Sequence, residues 1–557
     1  MTKLVWLLFG LVAVTQALSV KREIKDKKLE SSKKLKWPSQ YQIKATRLSL
    51  TDDVIENYAV WRTSKQSRID YNDGNVKSFA TSKNKQFRYG VQYEIHPEAS
   101  RDQEVEVVCN AMEGGRYDRV EPSTILPDTD EFEYDDEEVM NDKDCVKFVN
   151  NVKDEQTDSE QTLWATYNED DKAWVPVRYE VLEFNSWLGS KDKHEIWDFY
   201  DYEKAFSFRS VFDVEDYGCS DAVTHTKDSE NVTKHLLFMD AENDKHVDHV
   251  FKSFQKTHNR KYSDANERAM RRSLVKRSMR QVLENNRQKK GYKLAINQFA
   301  DKTPEEMKKY MGLLRRPEGK VGTIAFPYDE AKLNEISSGI PDEYDARLEG
   351  LVSNIKNQEE CGSCWTFGTT AAVEGALARI NGGKLMALSN QALVDCAWAY
   401  GGSGCKGGYD TAAYEWMMEY GLPTVAEYGQ YTNKDGECNI LNMTETFPIR
   451  GFVDVTPLSV GALKVALVNH GPLSVSVHVT EAFLQYSSGV FYDIECSQLP
   501  NDLNHEVTLV GYGQRDGDTF WILKNSWGPH WGIGGYMYIS SRDNICGVST
   551  EPTYVVF

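Results

Sequence analysis

The hydrophobic pattern changes period along the chain. Between about residues 40 and 225, apolar and polar positions alternate in short stretches, among them Tyr41–Leu50, Phe87–His96, Thr162–Tyr167 and Trp174–Phe184. Their Tyr, Trp, Val and Thr content, with turns such as Asn72-Asp73-Gly74 between them, predicts an antiparallel β domain. From about 245 to 315 the spacing becomes helical. Val250, Phe251 and Phe254 open an amphipathic stretch, and a long helix with few breakers follows from Asp264 to Asn286. Thr303, Pro304 and then Glu306 form the signature of an N-cap with a capping box. Residues 316–339 contain Pro, Gly and Ser without a clear period and read as an exposed connector. From about Ile340 the chain is richer in Gly, Trp and Cys, and the Ala-rich run Thr369–Ile380 predicts a buried helix. There is no internal repeat.

Length and charge narrow the classes. A chain of 557 residues is too long for one core, so two to four domains are expected. A net charge of -20 argues against generic binding to nucleic acid or anionic membrane. Lys3, the apolar run Leu4–Val14 and small residues at Thr15 and Ala17 read as a secretory signal cleaved after Ala17, with a run too short to span a bilayer. No later segment is a spanning candidate. The sequons at Asn231 and Asn442 fit the secretory route. Residues 20–36 are Lys-rich and read as a solvated arm. The acidic run Asp128–Asp144 reads as a solvated loop rather than a calcium site, because it lacks Gly-centred ligand spacing.

Seven of the ten cysteines follow residue 340: Cys361, Cys364, Cys396, Cys405, Cys438, Cys496 and Cys546. An odd number in an oxidising compartment leaves one thiol outside intramolecular disulfides. Cys361 and Cys364 alone could suggest zinc or redox chemistry, but no second close pair completes a metal site. Gln358 stands six residues before Cys364, inside Gln358…Cys361-Gly362-Ser363-Cys364-Trp365. Far downstream come Asn504-His505-Glu506 and Lys524-Asn525-Ser526-Trp527-Gly528. These motifs resemble the nucleophile, histidine and asparagine signatures of the papain and cathepsin L-like cysteine proteases, over residues of about 245–557.

The resemblance implies a cofactor-free cysteine endopeptidase, with Cys364 the nucleophile, His505 its proton partner and Asn525 the group that orients His505. It implies an oxyanion hole from the Gln358 side chain and the Cys364 N–H, and Trp527 as a shield. A neighbouring imidazolium and a helix N-terminus would make the thiolate the resting form. The implied fold is two subdomains, one helical and one a β-barrel, around a cleft. The implied bridges are Cys361–Cys405, Cys396–Cys438 and Cys496–Cys546. Protein and peptide substrates, and cystatin-like inhibitors, are the partners it implies.

Carried over singly, the positions lining the main specificity pocket, S2, are Tyr409, Asp410, Ser476, Leu503, Glu506 and Glu551. Apolar-preferring relatives carry small or apolar groups where Asp410, Glu506 and Glu551 stand. A carboxylate there suits a guanidinium, so the pocket is expected to take Arg as well as bulky apolar residues, mainly through Glu551. Glu506 is expected to face solvent. No occluding loop is evident, which favours endopeptidase over exopeptidase action.

The helical region resembles the inhibitory propeptide of cathepsin L-like enzymes. Glu267, Arg271 and Asn286 keep its spacing, with Ser278 a departure, and Ala295-Ile296-Asn297-Gln298-Phe299-Ala300-Asp301 matches the motif behind the long helix except that Ala295 replaces Gly. By analogy the next segment crosses the cleft in reverse and blocks Cys364. Residues 241–320 carry 21 Lys+Arg and 10 Asp+Glu, net +11, against 11 and 25, net -14, in residues 340–557. Opposite charges favour association and acid weakens it, so acid-triggered self-processing near Ile340 is expected.

The expected order is therefore a signal peptide (1–17), a β-rich N-terminal prodomain (18–235), an inhibitory propeptide (245–315), a linker with the activation cleavage (316–339) and a papain-like domain (340–557). The layout resembles the long-prosequence haemocyte proteinases of invertebrates, in which a front fragment and the protease come from one precursor. The front half is either a binding module or a structural prodomain, with its retention after cleavage left open. Cys109, Cys145 and Cys219 leave at least one thiol unpaired there or tied to another chain. Lysosome, granule or extracellular space is the expected destination. The rival for the whole chain is a catalytically dead homologue used for binding.

Overall fold

A computed structural model describes residues 34–557 apart from 53, 100–104, 117–118, 154–156, 187–188, 205, 207–209, 220–221, 227–235 and 516. The signal peptide, most of the Lys-rich arm and Asn231 lie outside the described residues. The chain forms two compact units, Met1–Ser253 with Tyr262–Gln288, and Phe254–Lys261 with Lys289–Phe557.

The front unit is built on strands β1 (Tyr41–Ser49), β2 (Val54–Arg62), β3 (Gln66–Tyr71), β4 (Val76–Thr81), β5 (Val91–Ala99), β6 (Val105–Glu113), β7 (Glu133–Met140), β8 (Lys143–Lys153), β9 (Thr157–Asn168), β10 (Ala173–Asn185), β11 (Lys191–Glu203) and β12 (Val223–Thr226). They join in the order β12-β6-β5-β4-β3-β2-β1-β11-β10-β9-β8-β7, antiparallel except for β12 on β6. The period-two pattern has its expected consequence: Tyr41, Ile43 and Ala45 of β1 face inward beside Tyr58, Val60, Ile69 and Phe199. A second cluster gathers Phe148, Leu163 and Trp174, with the Phe148 and Trp174 rings edge to face at 5.2 Å.

One expectation needs correction here. The acidic run is not a loop: Glu133–Met140 is a mostly exposed strand at the sheet edge, paired to β8 through Met140↔Lys143. Like charges suit an edge strand, where they discourage pairing with another chain. The front cysteines also sort themselves, since Cys109 and Cys219 are bonded and Cys145 is a buried free thiol.

Helices α1 (Asp244–Thr257) and α2 (Ala265–Arg287) follow. Asp264 caps α2 by accepting from the Glu267 amide at 2.9 Å. The whole of α2 as far as Arg287 belongs to the front unit. The second unit continues with β13 (Tyr292–Leu294), then α3 (Pro304–Met307), whose Thr303 and Glu306 form the capping box. Residues 316–339 are not a featureless connector. They contain helix α4 (Glu330–Ser337), capped by Asp329, and the Ile324 amide donates to the Phe452 carbonyl at 3.1 Å.

Beyond 340, β14 (Tyr344–Asp345) precedes helices α5 (Cys364–Ile380), α6 (Asn390–Cys396) and α7 (Asp410–Tyr420). Strands β15 (Leu422–Pro423) and β16 (Thr446–Phe447) pair with each other. The main sheet takes β17 (Gly451–Asp454), β18 (Leu473–Val477), β19 (Tyr486–Phe491), β20 (His505–Arg515), β21 (Asp518–Lys524), β22 (Tyr536–Ser540) and β23 (Thr553–Val556), with β13 on its β19 edge. Helix α5 is buried nearly throughout, and Trp365, Leu393, Tyr414 and Trp416 form the core around it. Bonds Cys361–Cys405, Cys396–Cys438 and Cys496–Cys546 tie these elements together. Among the described residues no helix is long and apolar enough to cross a membrane.

Candidate active site

Helix α5 begins at Cys364, with Ser363 as its N-cap residue. Strand β20 begins at His505, and the two elements meet where the Thr508 hydroxyl donates to the Gly368 carbonyl at 3.3 Å. Gly368 has to be small, because a Cβ there would come within 2.9 Å of Glu506 Cγ. His505 is fully buried, and its Nε2 lies 2.9 Å from Asn525 Oδ1. As Asn525 offers a carbonyl oxygen to that contact, Nε2 carries the proton and Nδ1 is left as the basic nitrogen. Trp527 stacks on the imidazole at 4.6 Å.

Gln358 is held between two partners. Its Oε1 accepts from the Ser526 hydroxyl at 2.6 Å, which fixes the amide so that Nε2 points the other way. There Nε2 donates to the Tyr310 and Cys361 carbonyls, each at 3.0 Å. The Gly312 amide donates to Cys364 Sγ at 3.3 Å. Residues 310–314 thus occupy the ground in front of Cys364, with the Tyr310 carbonyl standing in for an acyl oxygen on the Gln358 amide. The segment is tied to both walls: Leu313 N–H donates to the Asn504 carbonyl at 3.2 Å, Leu314 N–H donates to the Gly408 carbonyl at 2.8 Å, and Leu313 and Gly408 form a parallel bridge. Upstream, the Gln298 side chain donates to the Trp527 carbonyl at 2.7 Å, and the Phe299 ring lies 5.0 Å from those of Tyr310 and Trp527.

This cover sets the protonation states. Burial pushes the Cys364 thiol up to about 12, and the charge of Glu506 adds to it. Burial pulls His505 down to about 4 against the opposing hydrogen bond from Asn525. With residues 310–314 over the site, both shifts run against charging the thiol and the imidazole, and the resting thiolate stays an expectation for the uncovered site.

The six positions expected to line S2 separate into walls and acids. Tyr409, Ser476 and Leu503 are buried, and the Tyr409 hydroxyl is spent on the Tyr400 carbonyl at 3.2 Å. Asp410 accepts from the Thr553 hydroxyl at 3.0 Å and from Arg316 at 2.7 Å. Arg316 also reaches Asp454 at 2.9 Å, and Glu551 is close enough to act on Arg316 electrostatically. Glu506 corrects an expectation: it does not face solvent but is buried, accepts from the Ser474 hydroxyl, and is pushed well up by burial and then by Asp410. The reason is its place on β20 opposite Ser476, a strand position with both faces covered.

Asp454, Arg316, Tyr310 and Gly312 were not singled out by the sequence. An arginine pair at 315–316 a few residues past an inhibitory motif, facing an acid-rich domain, was the available signal for Arg316. Nothing local marks Asp454, which is brought in by the β17–β23 pairing through Asp454↔Thr553. Among the described residues there is no cluster of His, Cys, Asp and Glu arranged to hold a metal ion.

Residues 340–556 match the family described as papain family cysteine protease, and residues 251–307 match the cathepsin propeptide inhibitor domain (I29). Similar proteins include a pro-cathepsin H of Medicago truncatula, 35% identical over 306 residues, or 55% of this chain and 85% of that one. Cathepsin S of Bos taurus is 34% identical over 316 residues, 55% of this chain and 92% of that one. Among solved structures, the digestive procathepsin L2 proteinase of Tenebrio molitor larval midgut superposes with a TM-score of 0.52 at 30% identity, covering 56% of this chain and 100% of that one.

Proposed function

Because the chain belongs to the papain family of cysteine proteases and carries a cathepsin propeptide, we propose that it is a secretory-pathway endopeptidase zymogen whose S2 pocket accepts Arg alongside bulky apolar residues. The observation that carries the specificity is Arg316 seated between Asp410 and Asp454, with Glu551 beside it. A buried guanidinium held by two carboxylates is the interaction a substrate arginine would have to reproduce.

In this reading residues 310–316 are a blocking segment. Once they leave, Cys364 is rehydrated and loses its proton to Nδ1 of His505. The sulfur attacks the carbonyl carbon of the scissile bond, and the oxyanion is met by Gln358 Nε2 and the Cys364 amide. His505 then gives its proton to the leaving amine and a thioester remains. A water molecule, deprotonated by His505, attacks that thioester, and the acid product and the Cys364 thiol are released. Asn525 orients the imidazole and Trp527 keeps water from the bond between them. No cofactor or metal takes part.

In the same reading helices α5–α7 and the sheet of β17–β23 would be the two subdomains that the resemblance implies. Maturation by acid-triggered self-cleavage near Ile340, N-glycosylation at the exposed Asn442 and at Asn231, inhibition by cystatin-like proteins, and delivery to a lysosome, granule or the extracellular space belong to the same reading. The test is a substrate profile of the acid-matured protein with Arg, Leu and Phe at the second position before the cut. Glu551→Ala and Asp410→Asn are expected to lower the Arg rate selectively, whereas an Arg rate unchanged in both variants would discard the Arg subsite.

A further inference from the structure

Helix α2 is poorly suited to standing alone. Seven of its residues are basic and two acidic, and Arg268, Arg272, Lys276 and Arg280 follow one another at i, i+4, where like charges repel. The counter-charges come from elsewhere in the front unit. Arg272 pairs with Asp248 at 2.6 Å and Asp244 at 2.9 Å, and Lys276 pairs with Glu242 at 3.6 Å. Arg280 donates to the Asp192 carbonyl at 2.7 Å and lies 3.7 Å from Glu183.

The same stripe continues down the helix onto the sheet. At Ser273 the hydroxyl accepts from the Asn185 amide at 2.7 Å. At Glu284 the carboxylate meets Arg47 of β1 at 2.5 Å, and Arg47 also holds Glu56 of β2 at 3.1 Å and Glu195 of β11 at 2.9 Å. All four of these side chains are at least nine-tenths buried. Arg47 occupies an inward position of β1 that the apolar alternation would fill with an aliphatic residue, and its guanidinium also lies 5.8 Å over the Trp197 ring of β11. At the C-terminus, the Asn72 and Asn75 side chains, from the turn between β3 and β4, donate to the Arg287 carbonyl at 3.1 and 3.0 Å. The Arg287 guanidinium lies 4.2 Å over the Tyr71 ring. Two side-chain amides on one terminal carbonyl cap the helix end, where the Gln288 N–H also donates to the Asn285 carbonyl at 3.1 Å.

We propose that the β domain is a working part of the inhibitor: its sheet face is a docking surface for α2, and it holds that helix folded so that the segment following it stays on Cys364. Position after position of the helix, Ser273, Arg280, Glu284 and Arg287, is read by a different strand or turn of the sheet. The partner this face fits is a basic helix with an acid one turn before its end. The inhibitory unit is then the β domain plus the propeptide. This rests on the propeptide reading above.

The test uses the full-length chain. In a Cys364→Ala background, which cannot mature itself, hydrogen exchange is followed at amides 274–286 and at amides 366–378. Arg47→Met is expected to lower protection at 274–286 at least tenfold and leave 366–378 unchanged; with Cys364 restored, it shortens the half-time of acid maturation severalfold. Arg47→Met/Glu284→Met, which no longer leaves Glu284 of the helix unpaired although Glu56 and Glu195 still lose their cation, is expected to recover part of the protection at 274–286. Should Arg47→Met fail to fold, Asn75→Ala at the half-buried turn gives a smaller shift of the same sign. Unchanged exchange at 274–286 in both variants overturns the proposal, as does a loss of protection spread equally over both segments. Because exchange needs no peptidase activity, failure of the protease reading would register separately.

Discussion

The backbone amide of Gly312 donates to the sulfur of Cys364 across 3.3 Å. That contact is possible because Gly312 lacks a side chain: a Cβ there would sit 1.8 Å from the Gly362 carbonyl oxygen, inside the wall that carries the Cys361–Cys405 bond. Gly312→Ala must therefore push the segment off the thiol. Full-length protein carrying it is expected to show peptidase activity before processing, several times that of the unaltered zymogen, in a fluorogenic peptide assay at neutral pH.

Arg316 is buried against Asp410 and Asp454 in the zymogen. Removing one member of a buried charge pair strands the other at a cost of about 3 kcal/mol or more. Arg316→Ala is expected to shorten the half-time of acid maturation at least tenfold, read by gel densitometry. Arg316→Lys, which cannot make the forked contact, falls between the two.

The ion pair of Lys302 with Glu360 at 2.6 Å gives one acid-sensitive hold on the propeptide. The Lys302 hydrogen bond holds the Glu360 carboxyl below its usual value. A depressed carboxylate contributes stability that is present above its unfolded pKa near 4.5 and is lost as pH falls below that toward its lowered folded value. Lys302→Met removes this contribution, so the pH at which maturation sets in should move upward. An onset unchanged across a pH series would show that Glu360 plays no part.

The front unit has the opposite sign. Burial pushes Glu94 up to about 8 and Glu284 up to about 7, with Arg287 and Arg47 respectively pulling them back. A carboxyl raised above its unfolded value costs stability at high pH, and the cost disappears as pH falls through the raised value. Burial also raises Glu242, but Lys193, Lys276 and Arg280 outweigh it, so its contribution declines only below about 4.5. Exchange protection of amides 41–49 in the Cys364→Ala chain, corrected for intrinsic rates, should rise from pH 8 to pH 5. Acid that loosens the blocking segment thus leaves the β domain and α2 together.

The legible parts of this molecule were those whose chemistry is local. Cys364, His505 and Asn525 stand in motifs, Thr303 and Glu306 spell out their own cap, and β1 shows its alternation directly. Contacts assembled from distant residues were not legible. Asp454 reaches Arg316 only because β17 pairs with β23, and Arg47 looks like a surface charge until Glu56, Glu195 and Glu284 converge on it. The acidic strand β7 was hidden because its charges mask β propensity; its backbone is held by pairing to β8, not by its side chains. Glu506 was misplaced for the same reason: a carboxylate reads as solvated unless a strand buries it.

The central claim is that Cys364 is the nucleophile and that the chain's own segment keeps it silent. Labelling with iodoacetamide at pH 7, followed by peptide mapping, tests it most directly, because Cys145 is the other free thiol among the described cysteines. The intact zymogen should label slowly at Cys364, whose thiol burial holds near 12. After acid maturation the same residue should label at least a hundredfold faster, with peptidase activity lost in step. Full labelling of Cys364 with activity intact, or equal labelling rates before and after maturation, would contradict the account.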